Sequence, residues 1–451
     1  MYLNDIRDKN FLIMGLGLHG GGLAAAKFLL KHGGNLVITD LKSELELGPS
    51  IESLKQFKDK VRYVLGYHDE DDFKSADIVI KNPGVSFDNK YLKLAKRVET
   101  DISLFLMFNQ NPIIAITGTK GKSTLASLLH KVLVAKYPNS KLGGNIGISP
   151  LSFLDELDGT SPIVLELSSW QLHDLKNLCP IISIITNIYC DHQNYYSNFD
   201  SYIADKSKIF MNQNSGILIS QDQAYYNYFS RFKFKSKLIL FSETVPLNFK
   251  NDIFYFEMGK VYLNNKVMGT LSDSRIVLLI SKMITVFIAS YLRLDLSVVS
   301  KILTDFDGIE HRLEFVREFE GVKYYNDTAS TIPDSTVLSV KSLRPYGGLI
   351  NLITGGTDKG LDFAVFGEIL SMVKTWILLR GSATLKIIKF LEDNNLHYFI
   401  FSSLEECVYY AKKNSIRDDI VLFSPASASF ELFKNEFDRG LQFKNLVSIM
   451  T

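Results

Sequence analysis

The stretch Gly118-Thr-Lys-Gly-Lys-Ser-Thr124 follows the apolar run Pro112–Ile116 and precedes a helical pattern. Gly118 and Gly121 let the backbone approach a phosphate closely, and the amides that open the helix offer donors. Lys122 would offset β/γ-phosphate charge, and the hydroxyl of Ser123 could ligate Mg²⁺. The spacing departs from the usual G-x-x-x-x-G-K-[ST] in one respect: Ile116 stands where the first glycine belongs. Three further groups fall beyond strand-like runs. Glu166 ends "PIVLEL", and Asp191 and His192 end "IISIITNIYCDH". A carboxylate and an imidazole there can hold a divalent cation near the phosphates. Lys206 shares a helical face with Ile203 and Phe210. A lysine on an apolar stripe either snorkels outward or is used, since burial makes an amine nucleophilic toward CO₂.

A second glycine loop, Gly15-Leu-Gly-Leu18-His19-Gly20, lies between a strand and a helix, and Asp40 ends the next strand. This spacing is that of a dinucleotide loop, although any nucleotide diphosphate suits such a helix start. Two phosphate loops in separate segments imply two phosphorylated ligands: ATP at one and a nucleotide-linked substrate at the other. Loops rich in Gly and Ser after the later strands would bring a third reactant. That combination suits ATP-driven joining of two molecules.

The elements that must position these groups alternate between strand and helix, so parallel sheets covered by helices are expected. With 451 residues the chain exceeds one ordinary domain. Three segments are read: 1–100, 101–309 and 310–451, with hinges near 101–111 and 307–310. Within the second, "KLILF", "DIFYF" and "KVYLNN" suggest an antiparallel excursion. The net charge of +1 argues against a general nucleic-acid or membrane-surface binder. The three cysteines lack a C-x-x-C pair, which points to a reducing compartment. The N-terminus is not read as a signal peptide. The apolar run 276–292 contains Lys282 and reads as a buried helix rather than a membrane span. A cytoplasmic protein, and a monomer, is the expectation.

The motifs "GTKGKST", "GGNIG" (143–147), "LELSSWQL" (165–172), "TNIYCDHQNYY" (186–196), "HR" (311–312), "YYNDTAST" (324–331), "GGTDKG" (355–360) and "SPASASFELFKNEFDRG" (424–440) resemble, in order, those of the Mur ligases. The resemblance covers all three segments. It implies an α/β protein of three domains: an N-terminal Rossmann-like domain, a central P-loop ATPase-like domain with a mostly parallel sheet, and a C-terminal Rossmann-like domain. It implies an ATP-dependent ligase that adds D-glutamate to UDP-N-acetylmuramoyl-L-alanine in peptidoglycan precursor synthesis, through an acyl phosphate. Residues carried over motif by motif are Gly15, Gly17, Leu18, His19, Gly20, Asp40, Gly84 and Asn145 for the uridine substrate, with the turn Asn82–Gly84. ATP falls to Gly118–Thr124, Arg312 and Asp327, and the amino acid to Thr331, Lys359 and Ser429. Two Mg²⁺ fall to Ser123, Glu166, His192 and a carbamylated Lys206; Lys122, His192 and Lys206 are the catalytic set.

The chain departs from the family pattern at Ala329, where many relatives carry Lys, and at Glu436, where they carry an aromatic. It also lacks an "HN..N" motif in the region reading "RIVLLISKM". Three alternatives stand beside this reading: another Mur ligase with a different amino acid, a folylpolyglutamate synthase-like ligase, and a nucleotide-regulated binding protein without turnover. The N-terminal glycine loop counts against the second, and the paired metal ligands against the third.

Overall fold

The computed structural model describes residues 3–7, 9–17, 20–189, 196, 198–242, 245–246, 251–271, 276–343, 348–358 and 360–450. The chain forms two compact units. The first comprises Met1–Ile188, Asn198–Tyr255 and Leu263–Lys266; the second comprises Tyr189–Ser197, Phe256–Tyr262 and Val267–Thr451. Each of the three sequence segments carries one sheet.

The first segment runs β1 (Asn10–Met14), α1 (Gly21–Lys31), β2 (Asn35–Asp40), α2 (Glu44–Glu52), β3 (Val61–Leu65), α3 (Glu70–Ser75), β4 (Ile78–Lys81) and β5 (Val98–Glu99). Its strands lie in the order β3-β2-β1-β4-β5 and all pair in parallel. The chain reverses its direction of winding between β1 and β4, and ligands of open α/β sheets bind in the crevice at such a point. The expected hinge at 101–111 is mostly helical: α4 (Asp101–Phe108) starts at a capping box in which Thr100 and Ser103 satisfy one another's amides.

Next come β6 (Ile113–Thr117), α5 (Lys122–Val134), β7 (Lys141–Gly144), β8 (Ile163–Glu166), α6 (Ser169–Asp174), β9 (Ile182–Ile185), α7 (Phe199–Met211), β10 (Ile217–Gln221), α8 (Asp222–Ala224), β11 (Lys237–Ser242), β12 (Asp252–Glu257) and the hairpin strands β13 (Lys260–Leu263) and β14 (Lys266–Thr270). From one edge the sheet of the first unit reads β12-β11-β10-β9-β6-β8-β7. β6, β8 and β9 are buried along their whole length, as a sheet covered on both faces requires. Each fully buried Ile or Leu in them contributes about 2 kcal/mol. On α5, Leu125, Leu128, Leu129, Val132 and Leu133 form the buried stripe. The expected antiparallel excursion is corrected at its first two strands: β11 pairs in parallel with β10, and β12 with β11. Alternating burial identifies a strand but not the direction of its neighbour.

The second unit contains α9 (Ile276–Tyr291), α10 (Leu296–Thr304), β15 (Glu314–Phe319), β16 (Val322–Asn326), α11 (Pro333–Leu343), β17 (Ile350–Thr354), β18 (Val373–Leu379), α12 (Thr384–Asp393), β19 (Tyr398–Phe401), α13 (Leu404–Asn414), β20 (Ile420–Phe423) and α14 (Glu436–Ser448). Its sheet order is β15-β16-β20-β17-β18-β19, parallel except for the edge strand β15. The apolar run read as a buried helix is α9; among the described residues no helix is long and apolar enough to cross a membrane.

Candidate active site

The phosphate loop sits where the central sheet changes winding direction, between β6 and its neighbour β9. Ile116 explains the missing glycine. It lies inside β6, fully buried, so the strand runs two residues further and the turn is made at Gly118. Gly118 has φ +142°, and a Cβ there would stand 2.0 Å from Thr186 Oγ1, which no side chain tolerates. Gly121 caps α5 in the left-handed region, φ +80°. The loop is held from the end of β9. Thr119 N–H donates to Asn187 O (3.0 Å), Lys120 N–H to Asn187 Oδ1 (2.8 Å), and Thr186 Oγ1 to Lys120 O (2.6 Å). Lys122 Nζ donates to Gly118 O and Thr119 O, both at 3.0 Å, which keeps its ammonium over the loop. Ser123 and Thr124 are buried in the first turn of α5.

Two buried charges face this loop. Glu166 ends β8 opposite Ile116, and is 1% exposed. Its Oε1 accepts from Asn145 Nδ2 (3.1 Å), but its Oε2 is buried with no hydrogen-bond partner. A carboxylate oxygen in that state is costly unless a cation meets it. Ser168 and Gln171 form a capping box that starts α6 directly after this strand. Lys206 is 2% exposed, so it does not snorkel. Ile203 and Phe210 are buried with it, and its Nζ donates to Gly118 O (2.8 Å) and Thr117 Oγ1 (3.4 Å) over the ring of Tyr202. The Tyr202 hydroxyl in turn meets Thr119 Oγ1 at 2.9 Å.

In the N-terminal sheet, the glycine loop after β1 and the turn after β4 meet at the winding switch. Asn82 Nδ2 donates to Gly15 O (3.1 Å), and Asn82 Oδ1 accepts from Gly84 N–H (3.0 Å). Asp40 takes the amides of Gly17 (3.3 Å) and Lys42 (3.0 Å). Gly15, Gly17 and Gly20 all have positive φ. A cavity of about 430 Å³ lies between the start of α1 and residues 147–155, lined by Gly20, Lys27, Gly147 and Ser149. Asn145, assigned to the uridine substrate, is bound through both its amide N–H and its side chain to Glu166. Leu18, His19, His192 and Lys359 lie outside the described residues.

In the second unit, the loops after β16, β17 and β20 are tied together by buried side chains. Asp327 is fully buried; its Oδ1 accepts from Leu313 N–H (3.0 Å) and its Oδ2 from Ser424 Oγ (2.7 Å). Burial pushes this carboxyl above its usual range, against the lowering effect of those hydrogen bonds. Arg312, exposed, stands in the turn that Asp327 fixes, between His311 and Leu313, both at positive φ. Ser429 is buried, and its carbonyl accepts from Phe433 N–H (3.0 Å). Thr331 follows the same β16 loop. Sequence reasoning missed Arg439. Its guanidinium is fully buried in α14 and donates to Thr328 Oγ1 and O (both 2.9 Å), Ser427 O (3.2 Å) and Ala428 O (3.0 Å). Burial lowers its pKa to about 10, so it stays charged at neutral pH. The signal available was a lone arginine before Gly440 in a helix that carries few apolar residues. Glu310, His311 and Glu314 hold ligand atoms within 4.8 Å of one another, but Lys444 bridges the two carboxylates and already supplies the cation.

Parallel sheets with a phosphate cradle at one switch point and a second glycine loop at another, together with an unmet buried carboxylate beside the cradle, define a nucleotide-dependent phosphoryl-transfer protein. Three family descriptions match the chain: a MurD-like Mur ligase N-terminal domain over residues 9–103, the Mur ligase middle domain over 116–275, and the Mur ligase glutamate ligase domain over 311–427. The chain belongs to the Mur ligase family. It is 66% identical to a UDP-N-acetylmuramoylalanine–D-glutamate ligase of Borreliella burgdorferi, covering 99% of each chain. It is 32% identical to the enzyme of that name from Treponema pallidum, over 99% of this chain and 98% of that one. Among solved structures, the MurF ligase of Thermotoga maritima in complex with ADP shares the fold, with TM-score 0.61, 14% identity and coverage of 99% and 97%.

Proposed function

We propose that the protein is an ATP-dependent ligase that joins D-glutamate to UDP-N-acetylmuramoyl-L-alanine in peptidoglycan precursor synthesis. The single observation that carries the reading of the centre is Glu166: a buried carboxylate oxygen without a partner, beside a loop built for phosphate. A hard cation with oxygen ligands fits that donor set. Glu166 and Ser123 would hold one Mg²⁺, and His192 and Lys206 a second. Bound there, the ions offset charge on the transferring phosphoryl group and the attacking carboxylate.

The substrate carboxylate is a poor electrophile until it takes the γ-phosphoryl group. The resulting acyl phosphate is attacked by the amine of D-glutamate, and phosphate leaves from the tetrahedral intermediate. Lys122 and the amides at the start of α5 bind and orient the nucleotide phosphates. Gly15–Gly20, Asp40 and the Asn82–Gly84 turn hold the uridine diphosphate. Arg312 reaches the nucleotide, and Asp327 acts by fixing the turn that carries it. Thr331, Lys359 and Ser429 receive the amino acid. Lys206 takes up CO₂ on its neutral amine with release of one proton, giving a carbamate. The change turns a cation at the phosphate loop into an anion able to face a metal. The segments 1–100, 101–309 and 310–451 act as separate domains that exclude water from the acyl phosphate.

The test is phosphate release from ATP with the UDP-linked acid, over a panel of D- and L-amino acids. Release that requires both the acid and D-glutamate is the expected result. Release with a different amino acid, with Glu436 and Ala329 as the responsible departures, would redirect the assignment within the family.

A further inference from the structure

Lys81 is the last residue of β4, 1% exposed, and no step of the proposed reaction uses it. Its Nζ donates to Val85 O (3.0 Å), closing the turn that contains Asn82 and Gly84. The same ammonium lies 2.8 Å from Asp174 Oδ2 at the end of α6, an ion pair whose alignment is poor for a hydrogen bond. The preceding residue, His173, stacks on Phe87 just beyond the same turn, with ring centroids 4.2 Å apart and planes at 21°. On its other side His173 meets Asp205 of α7, Nδ1 lying 2.8 and 3.0 Å from the two carboxylate oxygens. A carboxylate only accepts, so Nδ1 carries the proton. Lys208 Nζ secures the joint from α7, at 3.0 Å from Asp205 Oδ1 and 2.5 Å from His173 O. Asp205 is buried. Burial alone would raise its carboxyl, but His173 and Lys208 outweigh it and hold the group below the ordinary range. The residue after Asp205 is Lys206, whose Nζ rests on the phosphate loop.

We infer that Lys81, Asp174, His173 and Asp205 form a polar strut that sets the position of α7, and with it Lys206, relative to the Asn82–Gly84 turn. The four are positioning residues; none is given a contact with a reacting atom. The inference rests on the reading of that turn as a uridine-substrate contact and of Lys206 as part of the reaction centre. Charge pairs suit this task because an ion pair and a bonded imidazole fix distance and direction, whereas apolar packing tolerates sliding. Removing one partner strands a buried charge. The strut therefore has no comfortable alternative register, and occupancy at one end is felt at the other.

The experiment uses the full chain in the phosphate-release assay, with KM for the UDP-linked acid, kcat and Tm measured together. Asp174→Asn should raise that KM about tenfold, a coupling within the usual range for linked sites, although Asp174 touches no ligand. His173→Phe keeps the stack on Phe87 and removes the bond to Asp205; it should lower kcat with little change in KM for the acid. His173→Gln, which retains a donor, should recover part of the loss. The double variant Lys81→Met/Asp174→Leu replaces the pair by apolar side chains; it should restore Tm but leave KM raised, and it stands in if Asp174→Asn fails to fold. Unmoved KM and kcat in folded variants, with only Tm lowered, overturn the strut. A wild-type chain that releases no phosphate in response to the UDP-linked acid overturns the assigned reaction and the strut with it.

Discussion

The central phosphate loop and the loops of the C-terminal sheet both surround buried charges, and they treat them in opposite ways. At the first, Glu166 keeps one carboxylate oxygen without a partner, and the ammonium of Lys206 lies against carbonyl and hydroxyl oxygens. At the second, Asp327 and Arg439 are enclosed by neutral hydrogen-bond partners that hold three loops in one arrangement. Charge held in reserve marks a place where something must bind; charge fully spent on backbone marks a frame. The frame also carries the strain: His311, Leu313 and Ala426 have positive φ without being glycine.

The largest expected effect falls on the reserved side. Lys206→Ala should lower phosphate release by a factor on the order of 10²–10³ or more, and excess bicarbonate should not restore it; full activity in that variant would remove the carbamate. Glu166→Gln keeps the hydrogen bond to Asn145 and removes the charge. The Mg²⁺ needed for half-maximal rate should rise by about tenfold or more, with Tm held or raised, and an unchanged Mg²⁺ requirement would place the cation elsewhere. On the frame side the order of effects inverts. Arg439→Met strands carbonyls of Thr328, Ser427 and Ala428, so stability measured by denaturant should fall by about 3 kcal/mol, with KM for ATP less affected than KM for the amino acid. The smallest effect belongs to Asp327. Its folded carboxyl lies above the ordinary value, so the ionised form is penalised above that folded pKa and the penalty is relieved as pH falls through it. Wild type should therefore gain stability relative to Asp327→Asn as pH is lowered from neutral toward about 4, read as converging or crossing Tm values.

Local features were legible in the sequence. The phosphate loop, the first glycine loop and the strand that ends at Glu166 each depend on a few adjacent residues, and each stands where its spacing required. The missing glycine at 116 was legible only as an oddity, because its cause is the length of β6, which holds Ile116 inside the sheet and moves the turn to Gly118. What failed was non-local. β11 and β12 show the same alternation whichever way their partners run, so their parallel pairing could not be read. Lys206 on an apolar stripe has the same spelling whether it is buried or snorkels. Arg439, Lys81 and Asp174 are ordinary charged letters until the fold brings each to its partner.

Thr186 Oγ1 occupies the space a side chain at 118 would need. The two positions are thus locked as a pair 68 places apart in the chain, at 118 and 186. No single replacement at 118 has room, and shortening Thr186 would free the volume while giving up the hydroxyl that holds Lys120 O. A library built on the loop should therefore return survivors almost only with both members intact.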